Sequence, residues 1–442
     1  MRFSFVPLTL TLLIATLRCE KHRFDGYKIV EVIPLTSDHL RLLKEMEVSA
    51  QIELWSDIHG LNQPVHVLVS PLDAAELKQR FSAIGLSPKD VLQNVQTLLD
   101  AEEKEFSRRP LQATTSYQDF AFDQYHTLEE IHSHMRQLAE AFPDIATVVS
   151  IGTSFEGREQ LALKIGKAKP NSDKPIIWLD GQIHAREWIT GAVMTHTLHT
   201  LTTNYSTDPF LRELLDEMDV YVLPVFNVDG FVYTHTTNRL WRKTRTDFAQ
   251  NSTCKGADPN RNWDYHWGET PGASPNPCSN IYHGVAPFSE PVTRNVANFI
   301  SDNRARVKAY IHNHTPGQLW FVPFAWDIDT YTKDDTLLVG NSREAVRALR
   351  EVDGKRYLIG TPGDLYGPAT GSTLDWAYDV AGIRYSFATE VRPRVDSVYG
   401  VILPAKFILP TANEMFAAYR VVMKRVLEET LADQREVDAK EK

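Results

Sequence analysis

Cysteine is scarce, three in 442 residues, and no long apolar run occurs after the first twenty. The second absence excludes a later membrane span, which needs about 20 apolar residues. Basic clusters are missing as well. Lys and Arg total 47 against 57 Asp and Glu, a formal net charge of −10, which argues against nucleic acid or an anionic membrane as a partner. No internal repeat organises the chain.

The chain opens with "MRFSFVPLTLTLLIATLRCE", a basic Arg2, an apolar stretch from Phe5 to Leu17, and a small residue at Cys19 where cleavage can fall. This reads as a secretory signal over residues 1–19, too short for a comfortable membrane span. A soluble, secreted mature protein is expected, as a monomer. With Cys19 at or before the cut, Cys254 and Cys278 remain in an oxidising compartment. A disulfide between them closes a loop rich in Gly, Pro, Asn and Ser and contributes ~3 kcal/mol; two free thiols are the alternative. Secretion also exposes the glycosylation acceptors Asn204-Tyr205-Ser206 and Asn251-Ser252-Thr253.

Hydrophobic residues make up 43% and charged residues 24%, the ordinary globular range, and the length suits two to three domains or one large α/β unit. From Tyr27 to Asp100 the patterns read as strand, helix, strand, strand, helix, then strand or short helix. That order suits a small ferredoxin-like α+β domain over residues 20–105. The stretch "AEEKEFSRRPLQATTS" follows, read as a protease-accessible linker centred on residues 106–115. Over residues 116–432, helical patterns alternate with "IATVVSIG", "LALKIG", "PIIWLDG", "VYVLPVFN", "VKAYIHN" and "IRYSFATEV". Alternation of this kind predicts an α/β unit with a mixed, largely parallel sheet and helices on both faces, its ligand site beyond the carboxyl ends of the strands. Residues 433–442 form a charged tail that is expected to fray.

His184 and Glu187 lie three apart where "PIIWLDG" ends, a spacing that lets one turn present both to a metal. Spacing alone is weak evidence, because His126 and Glu129 share it in "YHTLEE", where Thr127 and Glu130 read as a capping box. His312, closing "VKAYI", can supply a third ligand, and two His with one Glu leave the open fourth position of a catalytic zinc. A histidine satisfied at a strand end is the plainer alternative. Glu390 closes "RYSFAT", where burial or a metal shifts a carboxyl, or where Arg384 or Arg392 pairs with it. "NRLWRKTR" and "DPNRNW" add Arg239, Arg242, Arg245, Asn260 and Arg261, either a solvated face or a grip for a carboxylate and an oxyanion.

Taken in order, "HAREW", "NRLWRKTR", "DPNRNW", "YIH", "LDWAY" and "YSFATEVR", with "YGVILPA", "PTANE" and "QYHTLEEI", resemble the zinc metallocarboxypeptidases of the pancreatic type, made as proenzymes. The likeness covers nearly everything after the signal, with the leading domain similar to an activation segment. It implies that His184, Glu187 and His312 bind one Zn2+ and that Glu390 is the general base. It implies further that Arg242 holds the oxyanion, Asn260 and Arg261 hold the substrate's terminal carboxylate, Arg186 lines the upstream subsite, and Tyr366 caps the substrate. Asp258 is the implied partner fixing a ligand histidine. Peptide and protein C-termini would be the substrates, a trypsin-like protease the activator, and a protein inhibitor a compatible partner.

Leu374, before the Asp-Trp pair, falls at the family's side-chain pocket, where an acid would select Lys or Arg and a Leu selects apolar residues. Ala388 leaves room in the same pocket. Counted from His312, "NHTPGQLW" runs two residues longer than the family pattern, with His314 or a neighbour replacing an aromatic subsite residue. "YGPATGSTLDW" runs one longer, and Val228 replaces a usual Pro. Arg108 and Arg109 invite a trypsin-like cut, although Pro110 disfavours cleavage after Arg109. Two rival readings keep the scaffold: a catalytically silent peptide-binding homologue, and a deacylase of N-acyl amino acids.

Overall fold

Strands β1 (Lys28–Val32) and β3 (Val65–Val69) set the leading domain, because each carries apolar residues at successive positions, Ile29-Val30 and Val67-Leu68-Val69. A strand apolar at successive positions must be covered on both faces. Val30, Val32, Val65, Val67 and Val69 face α1 (Ser37–Val48) and α2 (Ala74–Ala83), packing on Leu43, Met46, Leu77 and Phe81. Ile29 and Leu68, on the other face, pack with Trp55, Val95 and Leu99 against Leu240, Val401 and Ile402 of the larger unit. With β2 (Glu53–Leu54) and β4 (Lys89–Leu92) the sheet runs β2-β3-β1-β4, antiparallel throughout, the expected ferredoxin-like arrangement.

The computed structural model describes residues 21–109, 116–169, 174–248 and 253–440. The expected signal 1–19, most of the expected linker and Asn251 lie outside these residues. Part of the segment read as linker is not one. Helix α3 (Gln96–Ser107) continues through "AEEKEFS", because Leu99 packs on Trp55 while Glu102 is buried against Arg239 at 2.5 and 3.0 Å.

The larger unit opens with α4 (Leu128–Ala141), whose Thr127 and Glu130 form the expected capping box. Next come β5 (Ala146–Thr153), β6 (Glu159–Ile165), β7 (Ile176–Asp180), α5 (Trp188–Thr203), α6 (Pro209–Glu217), β8 (Asp219–Leu223) and α7 (Val228–Thr236). Then follow α8 (Pro291–Asp302), β9 (Val307–His314), β10 (Leu319–Phe321), α9 (Asp335–Asp353), β11 (Leu358–Gly360), α10 (Pro362–Tyr366), α11 (Thr373–Asp375), β12 (Tyr385–Glu390) and α12 (Ile408–Lys440). The eight strands run β11-β10-β12-β9-β7-β8-β6-β5, with β8, β7, β9 and β12 parallel at the centre. Strands β10 and β11, three residues each, were not anticipated from the sequence. The charged tail is helical to Lys440 as the end of α12. Cys254 and Cys278 are joined as a disulfide. Asn204 caps the end of α5. Among the described residues no helix is long and apolar enough to cross a membrane.

Candidate active site

The chain leaves β7 through Gln182, at φ +60°, a conformation rare for a side chain other than Gly. Two hydrogen bonds hold it: Gln182 N–H donates to Thr190 Oγ1 at 2.8 Å, and Nε2 donates to the Ala185 carbonyl at 2.7 Å. A turn follows, with Glu187 N–H donating to the His184 carbonyl at 3.1 Å, and α5 starts only at Trp188. His184 Nδ1 and Glu187 Oε1 thereby come to 2.8 Å, both buried.

The third donor is His314, not His312. His314 Nδ1 lies 3.2 Å from His184 Nδ1 and 3.4 Å from Glu187 Oε2, and ligand atoms of the three residues all fall within 4.8 Å of one another. His312 was misassigned because alternate strand residues share a face. It pairs in register with Asp180, the last residue of β7, and its Nδ1 donates to that carboxylate, which also accepts from Trp178 Nε1 at 2.8 Å and Tyr310 Oη at 2.6 Å. His314 is two residues further on, past the end of β7, and so reaches the cleft. Counted from His314, the apparent two-residue lengthening disappears.

The donors suit a divalent zinc. Asp258 can only accept, so His184 must donate from Nε2 to its Oδ1 at 3.1 Å, which directs the Nδ1 lone pair at the triad. Burial, with His312 and His184 nearby, pushes His314 down to about 3, so its ring is neutral and free to ligate. Glu187 sets its carboxylate between the two rings, 2.8 Å from His184 Nδ1 and 3.4 Å from His314 Nδ1. Two ring nitrogens and a carboxylate converging in a buried space form a cation site.

Around the triad stand the other expected residues. Asp258 accepts from Arg242 Nη2 at 2.9 Å and Nε at 3.2 Å, fixing Arg242 with its Nη1 3.8 Å from Glu187. Asn260 faces His314 Nε2 at 3.2 Å, while its Oδ1 accepts the Thr373 N–H at 2.9 Å. Arg261 donates to the Gly272 carbonyl at 2.9 Å and the Asn260 carbonyl at 2.9 Å. Glu390 ends β12 in register with His314. Its Oε2 and the Tyr366 hydroxyl are buried with no hydrogen-bond partner among the described residues. Burial, then repulsion from Glu187 and Asp57, raises the Glu390 carboxyl well above its ordinary value against the pull of Arg242. Gly317 is required here, since a Cβ would come within 2.6 Å of Glu390 Cβ and 3.0 Å of Tyr366 Oη.

Leu374 and Ala388 meet Leu319 and Phe321 in one buried apolar cluster, with Leu365 and Tyr366 against it. Leu319 and Phe321 went unnoticed in the sequence: in "LWF" Trp320 turns into the main core while its two neighbours face the cluster. Also missed was the loop after β2. His59 sets its ring edge-on to Tyr366 at 4.4 Å. Asp57 is partly buried in the field of Arg242 and Arg261; desolvation raises its carboxyl, and Arg242, His59, Lys44 and Arg261 outweigh that and keep it low. Arg186 donates to Glu53 at 3.0 Å and to the Leu54 carbonyl at 3.2 Å.

Residues 131–418 match the family described as zinc carboxypeptidase, and residues 30–102 match the carboxypeptidase activation peptide. The chain belongs to the zinc carboxypeptidase family. Carboxypeptidase A2 of Mus musculus is 38% identical over 410 residues, 91% of this chain and 94% of its own length. Carboxypeptidase B of Astacus astacus is 42% identical over 301 residues, 67% of this chain and 95% of its own length. The crystal structure of carboxypeptidase A from Helicoverpa armigera superposes with a TM-score of 0.84 at 26% identity, covering 92% of this chain and 98% of that one. This carboxypeptidase therefore carries a single zinc site of His184, Glu187 and His314 and a leading activation peptide. Relatives of A and B designation both match well, so likeness alone does not decide what the pocket prefers.

Proposed function

We propose that the chain is secreted as a latent proenzyme and that, freed of its leading domain, it removes single apolar or aromatic residues from peptide C-termini. One observation carries the preference. The cluster of Leu319, Phe321, Leu374 and Ala388 adjoins Glu390, with Leu319 opposite Glu390 and Phe321 opposite Ala388 across the β10–β12 pair. The acid next to Leu374 does not serve the pocket, because Asp375 accepts the backbone N–H groups of Ala325 and Trp326 at 2.8 to 3.0 Å.

Zinc, when bound, supplies an acidified water and a Lewis acid for the scissile carbonyl. Glu390 takes the attacking water's proton on its carboxylate and passes it to the leaving amine, a task suited to a carboxyl whose affinity for protons is raised. Arg242, held by Asp258, donates to the developing oxyanion. Asn260 and Arg261 grip the free carboxylate and confine cleavage to the last residue. Tyr366 covers the substrate and keeps out water, and Arg186 meets the residue upstream. Latency follows from the loop carrying Asp57 and His59, which brings a carboxylate among the arginines where a substrate's would sit, while Glu53 occupies Arg186.

The test uses trypsin-nicked protein and N-blocked dipeptides ending in Phe, Leu, Lys or Glu. Release of Phe and Leu ahead of Lys and Glu is expected. Preferential release of Lys would overturn the pocket, and no release at all from zinc-loaded protein would overturn the enzyme in favour of a silent binding homologue.

A further inference from the structure

Two arginines end the leading domain, and the fold treats them differently. Arg108 is exposed at the end of α3, its N–H donating to the Glu105 carbonyl at 3.2 Å. Arg109, one residue on, is drawn inward to 12% side-chain exposure. Its Nη1 donates to the Tyr125 carbonyl at 2.6 Å and to Glu130 Oε2 at 2.9 Å, its Nε donates to the Phe106 carbonyl at 3.2 Å, and its guanidinium lies 3.6 Å over the Phe106 ring. Tyr125 and Glu130 belong to the larger unit. Phe106 in turn packs near His235 and Trp188, ring centroids 5.3 and 6.3 Å away, beside the zinc ligand Glu187.

With the trypsin-like cut at the Arg108–Arg109 bond that the sequence leads one to expect, we propose that Arg109 is a latch holding that cut site closed. This inference rests on the proenzyme reading above. A protease must draw the segment on either side of the bond into an extended strand, whereas Arg108 has helical backbone angles and Arg109 N–H donates to the Phe106 carbonyl at 3.3 Å. The last turn of α3 therefore has to open before cleavage, and the bonds of Arg109 to Tyr125 and Glu130 oppose that opening. Burial raises the Glu130 carboxyl, but His126, the Thr127 N–H and Arg109 outweigh it and bring it to about 2, so the pair stays ionised at any pH where a trypsin-like enzyme works. After the cut, Arg109 begins the enzyme chain and keeps its bonds to Tyr125 and Glu130, while Phe106 leaves with the leading domain.

The experiment treats the full chain with limiting trypsin and follows the intact band on a gel, with N-terminal sequencing of the large product. Glu130→Gln keeps the capping box but loses the charge, and Arg109→Met keeps the packing on Phe106 but loses the bonds. A product beginning at Arg109 is expected from wild type, no cut at this bond from Arg108→Gln, and cleavage about fivefold faster in Glu130→Gln, as loss of a partly exposed ion pair gives. A wild-type product starting elsewhere, or cleavage at an unchanged rate in both latch variants with unaltered melting, would overturn the latch. Cleavage is read without reference to activity, so a protein that is cut as expected but hydrolyses nothing would sink the proposed function and leave the latch standing.

Discussion

Replacing His314 with Ala and, separately, His312 with Asn distinguishes two histidines that the sequence alone does not. His314 offers Nδ1 to the triad, 3.2 Å from His184 Nδ1 and 3.4 Å from Glu187, so His314→Ala leaves two protein ligands of three. If a structural zinc site is worth about 12 kcal/mol shared over its contacts, each ligand carries roughly 3 to 4 kcal/mol, and zinc affinity should fall on the order of 10² to 10³ fold. His312 packs its ring on His314 at 4.4 Å but spends its Nδ1 on Asp180. Its replacement loosens a buried hydrogen bond, with a stability cost of about 1 to 3 kcal/mol, and should move zinc affinity by no more than about tenfold. Competition of the purified full chain with a chromophoric chelator reads both dissociation constants directly. Loss of zinc in His312→Asn with retention in His314→Ala would refute the assignment.

Leu374→Asp places a carboxylate in the apolar cluster and should cut release of C-terminal Leu by about 10² fold or more while admitting Lys; a profile over the four dipeptides checks it. Glu390→Gln should lower kcat by on the order of 10² to 10⁴ fold with zinc content unchanged, measured by steady-state kinetics beside metal analysis. Glu130 has a folded value of about 2 against an ordinary 4.5, so its stabilisation is complete above about 4.5 and is lost as pH falls toward 2. The group is half exposed, which limits the effect to about 1 kcal/mol, and the melting difference between wild type and Glu130→Gln should shrink from about pH 5 to about pH 2.5.

His184 and Glu187 could be read because a strand rich in apolar residues runs straight into them, and Glu390 because it closes another such strand. Each strand of five or more residues in the larger sheet announced itself in the same way. His314 was not legible, since the reach of a residue at a strand end depends on where the neighbouring strand stops, and β7 stops at Asp180. The apparent insertion after His312 was the available clue, as a lengthening placed directly on a metal site is better explained by the wrong ligand. Three-residue strands such as β10 carry too little periodicity to stand out, which hid Leu319 and Phe321. The end of α3 looked like part of a linker because the partner of Glu102, Arg239, lies 137 residues away. Asp57 and His59 gave no local sign, because their role depends on the face the leading domain turns to the cleft.

The proposed activity is a zinc-dependent attack confined to a free, apolar C-terminus and silent until the leading domain is removed. A peptide ending in Phe and its C-terminal amide, followed by mass spectrometry with intact protein, trypsin-nicked protein, and nicked protein stripped by a chelator and then reloaded with zinc, tests all of it. Loss of a single Phe from the free acid only, by nicked and zinc-loaded protein only, is the predicted result. Cleavage of the amide, activity that survives removal of the metal, or equal activity before nicking would contradict it.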